Sequence, residues 1–173
     1  MSIEAVKAYL RPYGKEQEVI ELSLSSATVE LAAQALGVEP ARIAKTLSFQ
    51  DGDGCLLLVA AGDAKVDNQK FKAAFGFKAK MLAPEDALRL TGHAVGGVCP
   101  FALPQGVRVF LDESLRRFNT VYPACGNSQS AIGLTCDELA LTSRCEGWVD
   151  ACKGWKPESL DGQEGQAAIN DGK

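Results

Sequence analysis

The feature that most constrains the fold is a continuous apolar segment, residues 55–61, with the sequence CLLLVAA between Gly54 and Gly62. An amphipathic helix or a half-exposed strand would interrupt such a segment with polar residues at regular intervals. Consecutive apolar side chains instead favour a strand that is covered on both faces. We therefore predict that residues 55–61 form the central strand of a sheet.

Hydrophobic periodicity and turn residues predict the other elements. An N-terminal helix is expected before Pro12, and Ser25 or Ser26 is positioned to cap a helix over residues 27–36 that ends at Gly37. Further helices are predicted over residues 68–75, 84–91 and 137–141, and further strands over 18–22, 46–50, 107–111, 120–123 and 131–135.

These elements predict a single mixed α/β (α+β) domain. Strands that follow one another through both short turns and helices favour a mixed, largely antiparallel sheet over a doubly wound parallel one. A length of 173 residues suits one domain. We assign residues 1–155 to it, and residues 156–173, which are polar and contain glycine, to a loose C-terminal tail.

Lys45 is the residue that gives the most information about function. It lies in ARIAKTLSF, residues 41–49, where the pattern changes from helical to strand-like. As the first residue of a strand, Lys45 would share its inward face with Leu47 and Phe49. Burial removes solvation from an ammonium, so a lysine in such a position is usually paired or functional. A lysine whose stem covers the core while its head reaches water explains the same pattern.

A second segment, GHAVGGVCPFALP at residues 92–104, predicts a glycine-rich loop. Gly96 and Gly97 permit close backbone approach to a ligand, and consecutive N–H groups in such a loop can bind an oxyanion. Pro100 and Pro104 would stiffen it. An ordinary connection between a helix and a strand is the alternative, because glycine and proline occur in most loops.

Together these segments resemble the YbaK and prolyl-tRNA synthetase-associated editing family, whose members cleave wrongly charged aminoacyl-tRNA. The resemblance covers most of residues 20–142 and includes SATVELAAQALGV (residues 26–38), RIAKTL (residues 42–47) and GGVCP (residues 96–100). In that family the lysine that matches Lys45 is the residue most closely tied to activity, and a Gly-x-x-x-Pro loop lines the substrate pocket. The resemblance implies a curved mixed sheet or partial barrel surrounded by helices.

The implied activity is that of a trans-editing aminoacyl-tRNA deacylase, which hydrolyses the ester of mischarged tRNA carrying a small amino acid. Ester hydrolysis passes through an oxyanion, which the backbone N–H groups of the glycine loop would stabilise. Lys45 would position the substrate through its phosphate or ester oxygens. The predicted catalytic residues are Lys45 and Gly97. The predicted substrate-binding residues are Thr46, His93, Gly96, Val98, Cys99, Pro100, Gly126 and Ser128.

Ala124 and Ala131 depart from the cysteinyl-tRNA deacylase branch of the family. In that branch we would expect serine at the first position and aspartate at the second, so specificity for cysteine is in doubt. A synthetase pocket rejects a substrate that lacks one methylene by only about 10- to 200-fold, which creates a need for later clearance of small amino acids. Alanine, serine, threonine and other small amino acids are all open as substrates.

The chain offers no evident pair of nucleophile and base. A thiol at Cys99 beside His93 would be a covalent nucleophile if its pKa were lowered, yet buried cysteine is mostly inert. We expect water to attack, assisted by a ribose hydroxyl of the substrate, and His93 to orient the loop. Two other functions remain open: a non-catalytic module that binds a tRNA end or a synthetase, and a thiol-dependent redox or acyl-transfer protein using Cys99.

Composition restricts the partners. The net charge is −4, whereas a dedicated nucleic-acid binder usually has a strongly basic domain. The partners that the family resemblance implies are the acceptor end of mischarged tRNA, which needs only a few contacts, and an aminoacyl-tRNA synthetase. The lysines at 65, 70, 72, 78 and 80 form either a solvated surface or a phosphate contact, and we favour the former.

The N-terminal residues and the cysteines predict the compartment. Residues 1–7 lack the apolar segment of a signal peptide, and no later apolar run approaches membrane-spanning length. The six cysteines form no Cys-x-x-Cys motif and fit a reducing compartment. We expect a cytoplasmic protein with no membrane partner, no metal and no cofactor.

Overall fold

The computed structural model describes residues 3–156. The helices and strands, in chain order, are α1 (Ile3–Leu10), β1 (Ile20–Glu21), α2 (Val29–Leu36), β2 (Ala44–Asp51), β3 (Gly54–Ala61), β4 (Lys65–Val66), α3 (Asn68–Phe75), α4 (Pro84–Thr91), β5 (Arg108–Asp112), β6 (Ser130–Ala131), α5 (Cys136–Ser143), β7 (Gly147–Val149) and β8 (Cys152–Lys153). Short 3-10 helices lie between several of them.

The main sheet has four strands in the order β2-β3-β5-β7. Strands β2 and β3 form an antiparallel hairpin, while β3 with β5 and β5 with β7 are parallel. As predicted from its apolar sequence, β3 is an inner strand, and every side chain from Cys55 to Ala61 is at most 1% exposed. The hydrophobic core therefore forms on both faces of β3.

The outer edge of β2 is the feature of the sheet that positions the candidate site. At the start of β2 Ala44 N–H donates to the carbonyl of Tyr122 (3.0 Å), and farther along the strand Leu82 N–H donates to the carbonyl of Ser48 (3.1 Å). In an antiparallel hairpin alternate residues direct their backbone groups away from the partner strand. Thr46, halfway between Ala44 and Ser48, thus directs its N–H and C=O away from β3. The segments of Tyr122 and Leu82 do not reach Thr46, so a gap lies beside it.

Two short antiparallel pairs tie distant parts of the chain to this sheet. Strand β1 pairs with β6, and β4 pairs with β8. The first pair holds residues 20–28, which we call the strap, against residues 128–131. It is extended by hydrogen bonds from Leu22 N–H to the Gln129 carbonyl (2.8 Å) and from Ser26 N–H to the Ser128 carbonyl (2.6 Å).

The mixed α/β class of a single domain is confirmed, and three of the five strand pairs are antiparallel. Several boundaries differ from the predictions. The cap of α2 is Thr28, whose hydroxyl accepts the Leu31 N–H (3.2 Å), and neither Ser25 nor Ser26. The strand predicted over residues 120–123 is reduced to isolated bridges at Val121 and Tyr122.

Other differences concern short strands. The strands predicted over residues 18–22 and 131–135 shrink to the two-residue pairs β1 and β6, while β4, β7 and β8 were not predicted. These segments gain strand geometry from partners far along the chain, which local periodicity does not report. Most of the tail predicted over residues 156–173 lies outside the described residues. None of the helices in the described part of the chain has the length and apolar character needed to cross a membrane.

Candidate functional site

A cavity of about 320 Å³ opens at the gap along the outer edge of β2. Its walls come from the strap and the start of α2, from β2, from the segment before α4, from the glycine loop, and from residues 122–131. The lining residues are Ser26, Ala27, Thr28, Val29, Ala32, Ile43, Ala44, Lys45, Thr46, Leu47, Ser48, Met81, Leu82, Ala87, Val95, Gly96, Val98, Tyr122, Ala124, Ser130 and Ala131.

Lys45 lies on β2 in the wall of this cavity, and its side chain is half-buried. Its ammonium donates to the carbonyls of Gly62 (3.3 Å) and Ala64, which belong to the turn after β3. Burial is the largest influence on its pKa and lowers it, partly offset by the negative charges of Asp63 and Glu30. An ammonium has three donors, so two carbonyls leave one for a ligand.

Gly62 permits the turn that receives this ammonium. A Cβ at this position would lie 2.0 Å from the carbonyl oxygen of Pro40 and 2.7 Å from Cγ1 of Val29. The backbone of the turn therefore packs directly against the residues that precede β2. This contact fixes the carbonyls of Gly62 and Ala64 relative to Lys45, so the position of the cation is determined by backbone packing.

The glycine loop contributes Val95, Gly96 and Val98 to the cavity, and Gly97 is not among the lining residues. A Cβ on Gly97 would lie 2.6 Å from Cα and 2.7 Å from N of Asn127, so this residue packs against the backbone of Gly126 and Asn127. Its N–H donates to the carbonyl of Ala94 (2.9 Å). The prediction that Gly97 N–H is an oxyanion donor is therefore corrected, because that N–H already has a partner.

The N–H groups of Val95, Gly96 and Val98 have no hydrogen-bond acceptor among residues 3–156. Gly96 has a φ of 95°, which favours glycine and turns its peptide relative to the next one. Because all three residues line the cavity, their N–H groups are the loop donors that remain for a ligand.

His93 and Cys99 lie behind the loop and do not line the cavity. Both are fully buried. Nε2 of His93 lies 2.8 Å from the carbonyl oxygen of Phe101, and Sγ of Cys99 lies 3.5 Å from the same nitrogen. Burial lowers the pKa of His93 and raises that of Cys99 to about 12. A neutral thiol shielded from the cavity is unsuited to nucleophilic attack, and the histidine anchors the loop.

The remaining predicted residues lie in three different places relative to the cavity. Thr46 lines the cavity directly. Gly126 and Ser128 support it from outside, the first beneath Gly97 and the second through its carbonyl, which accepts the N–H of Ser26. Pro100 is buried and lines a separate cavity of about 180 Å³ on the other side of the loop.

Ser26 is a lining residue that the sequence did not indicate, since serine before a helix suggests a cap. The hydroxyls of Ser26 and Thr46 are both shielded from solvent and have no hydrogen-bond partner among residues 3–156. Of the side chains that line the cavity, Lys45 alone carries a charge. Within the described ranges, no group of three or more His, Cys, Asp or Glu residues is arranged to hold a metal ion.

Comparison with known proteins identifies close similarities. The family described as the aminoacyl-tRNA editing domain matches residues 25–141. An uncharacterized Bacillus subtilis protein, YwhH, is 52% identical over 157 residues, which cover 90% of this chain and all of that protein. A candidate Cys-tRNA(Pro)/Cys-tRNA(Cys) deacylase of Enterococcus faecalis, EbsC, is 28% identical over 145 residues, covering 82% of this chain and 87% of the relative.

A solved structure supports the same assignment. The crystal structure of a candidate trans-editing enzyme for prolyl-tRNA synthetase superimposes with a TM-score of 0.80 and 30% sequence identity. The superposition covers 89% of this chain and 99% of that one. Every residue that lines the cavity lies within the segment matched by the family.

Proposed function

We propose that this chain, which belongs to the aminoacyl-tRNA editing domain family, hydrolyses the ester of mischarged tRNA that carries a small amino acid. The observation that carries the proposal is the meeting of Lys45 with Gly96 and Val98 in one cavity at the edge of β2. A cation and unpaired N–H donors of the glycine loop in a largely apolar cavity suit a reaction that develops negative charge on oxygen.

Lys45 positions the substrate. Two of its donors are held by the carbonyls of Gly62 and Ala64, so the ammonium is fixed before a ligand arrives. Its remaining donor is available for a phosphate or ester oxygen of the tRNA terminus. A preplaced cation avoids the cost of ordering a flexible lysine during the reaction, which contributes to catalysis through orientation.

Gly96 and Val98 stabilise the oxyanion of the tetrahedral intermediate. Removal of one such donor typically costs on the order of 10²- to 10³-fold in rate. Thr46, whose backbone N–H also points outward from β2, lies on the same cavity and is a further donor. Water supplies the nucleophile: its oxygen bonds to the acyl carbon, the ester C–O bond breaks, and a proton passes to the ribose oxygen.

The size and lining of the cavity support a small amino acid. A volume of about 320 Å³ has to hold the aminoacyl group and part of the terminal ribose. Ala124 and Ala131 give apolar surface where the cysteinyl-tRNA deacylase branch is expected to place polar groups. We therefore propose a substrate other than cysteinyl-tRNA, although EbsC is described by that activity. The proposed partners are the acceptor end of mischarged tRNA and an aminoacyl-tRNA synthetase.

Hydrolysis of a panel of charged tRNAs tests this function. The purified chain is incubated with tRNA-Pro, tRNA-Thr and tRNA-Ala charged with correct or small incorrect amino acids, and loss of the ester is followed. We expect hydrolysis of a few mismatched pairs, and a large loss with Lys45→Ala. Lys72→Ala, which removes an exposed lysine of α3, is the matched control and should keep full activity.

Two outcomes would point elsewhere. Binding of charged tRNA with no hydrolysis of any pair would favour the non-catalytic binding module. Loss of activity in Cys99→Ala that matches the loss in Lys45→Ala would favour the thiol-dependent function, against the burial of that thiol.

A further inference from the structure

Two hydroxyls in the cavity lack the partners that buried polar groups normally have. Ser26 is 8% exposed, and its Oγ, like Oγ1 of Thr46, has no hydrogen-bond partner among residues 3–156. The large majority of buried side-chain polar atoms have a hydrogen-bond partner, so an atom without one needs an explanation. Both residues line the same cavity, from different walls.

Backbone pairing fixes Ser26 at this position. The strap is fixed by the β1–β6 pair and by the short hydrogen bond from Ser26 N–H to the Ser128 carbonyl (2.6 Å). Ser128 in turn follows Gly126 and Asn127, which pack against Gly97. The same backbone contacts thus fix the glycine loop and the wall that carries Ser26. Thr46 is fixed independently, as a residue of β2.

The chemistry of the lining indicates what the hydroxyls recognise. The α-ammonium of an aminoacyl ester is a cation, and the cavity wall contains the cation Lys45 without any carboxylate. The α-ammonium of the substrate is therefore best placed at the mouth of the cavity or next to the outward carbonyl of Thr46. A neutral hydroxyl both donates and accepts, as do serine and threonine, and it adds no charge. Rotation about χ1 between staggered positions lets the hydroxyls of Ser26 and Thr46 form hydrogen bonds with a substrate hydroxyl.

We infer that Ser26 and Thr46 form a specificity pocket for an amino acid with a side-chain hydroxyl, so that the preferred substrates are seryl- and threonyl-esters over alanyl-esters. This inference rests on the proposed function and names the substrate class of the same cavity. Ser26 acts as a specificity residue because its hydroxyl contacts the substrate side chain and not the ester.

The consequence for discrimination is large. A site that hydrogen-bonds a substrate hydroxyl disfavours the analogue without it, because its own polar groups are then left without partners. We expect the wild-type chain to prefer seryl- over alanyl-substrates by about tenfold in kcat/KM, which is near the upper end of what one net hydrogen bond contributes. In Ser26→Ala and in Thr46→Val the ratio should fall toward one.

The test uses two readouts. The first is kcat/KM for tRNA charged with serine, threonine or alanine. The second is calorimetric binding of adenosine that carries the same amino acids through a 3′-amide, which does not hydrolyse. Ser25→Ala is the matched control, because Ser25 is the exposed neighbour of Ser26 and does not line the cavity. Thermal unfolding of each variant checks that the fold is retained.

The results separate the two claims. Equal hydrolysis of seryl- and alanyl-tRNA, or a ratio that neither variant changes, overturns the inference and leaves the deacylase function standing. Selective binding of the seryl amide without hydrolysis of any ester overturns the deacylase function and supports the hydroxyl pocket. If Ser25→Ala lowers the ratio as much as Ser26→Ala does, the selectivity does not come from the pocket and the inference is also overturned.

Discussion

Gly97→Ala should inactivate the protein through backbone contacts alone. The added Cβ would lie 2.6 Å from Cα of Asn127, 2.7 Å from its N and 2.8 Å from the carbonyl carbon of Gly126. All three are backbone atoms, so no side chain can rotate away. Restoring ordinary van der Waals contact requires the two loops to separate by about 0.8 Å.

That separation moves Gly96 and Val98, whose N–H groups are the proposed oxyanion donors. Misplacement of catalytic groups by about 1 Å costs on the order of 10²-fold in rate. We therefore expect kcat/KM for ester hydrolysis to fall about 100-fold. Overpacking of this kind also destabilises the fold by about 1–3 kcal/mol.

The assay combines deacylation kinetics with urea unfolding, so that rates are expressed per folded molecule. Gly147→Ala is the control, because a Cβ there meets no atom within 4 Å and the residue lies away from the cavity. The control should keep its activity. Wild-type kinetics in Gly97→Ala would refute the reasoning, since the loop would then tolerate a side chain that its packing excludes.

Three further predictions concern other parts of the chain. Cys99→Ala should leave the rate per folded molecule nearly unchanged, and the native thiol should resist iodoacetamide at pH 8 because burial raises its pKa to about 12; rapid labelling of Cys99 would contradict this. Binding of the 3′-amide analogue should weaken as pH rises through the pKa of Lys45, at a lower pH than for an ordinary lysine because burial lowers that pKa, and Lys45→Met should remove this dependence; an identical alkaline profile in the variant would count against it. A chain truncated after Lys156 should keep wild-type deacylation, because all lining residues lie between Ser26 and Ala131; a large loss would show that residues 157–173 take part.

The local sequence predicts those elements whose hydrophobic pattern and end residues lie within the element itself. The position of β3 follows from its unbroken apolar run, and the bounds of α3 and α4 follow from periodicity with Asp67 and Pro84 at their starts. In each case neighbouring residues contain the whole signal, through side-chain burial or helix initiation.

The cavity itself could not be predicted in this way. It exists because Tyr122 pairs with Ala44 and Leu82 pairs with Ser48, which leaves Thr46 of β2 unpaired between them. Tyr122 and Leu82 are both remote from β2 in sequence, and the residues around them show no pattern that predicts this pairing. The strand-like pattern that begins at Lys45, together with the family resemblance, indicates that residue, whereas the sequence predicts Ser25 or Ser26 as a helix cap because serine favours that position.

The central claim is that Lys45 contributes to the hydrolysis of a bound aminoacyl ester. Single-turnover hydrolysis with enzyme in excess of a charged tRNA separates chemistry from binding and release. The account predicts that Lys45→Ala lowers the single-turnover rate constant by at least about 100-fold at saturating enzyme, as expected when a positioning group is lost. Equal rate constants for wild type and Lys45→Ala at saturation would contradict it.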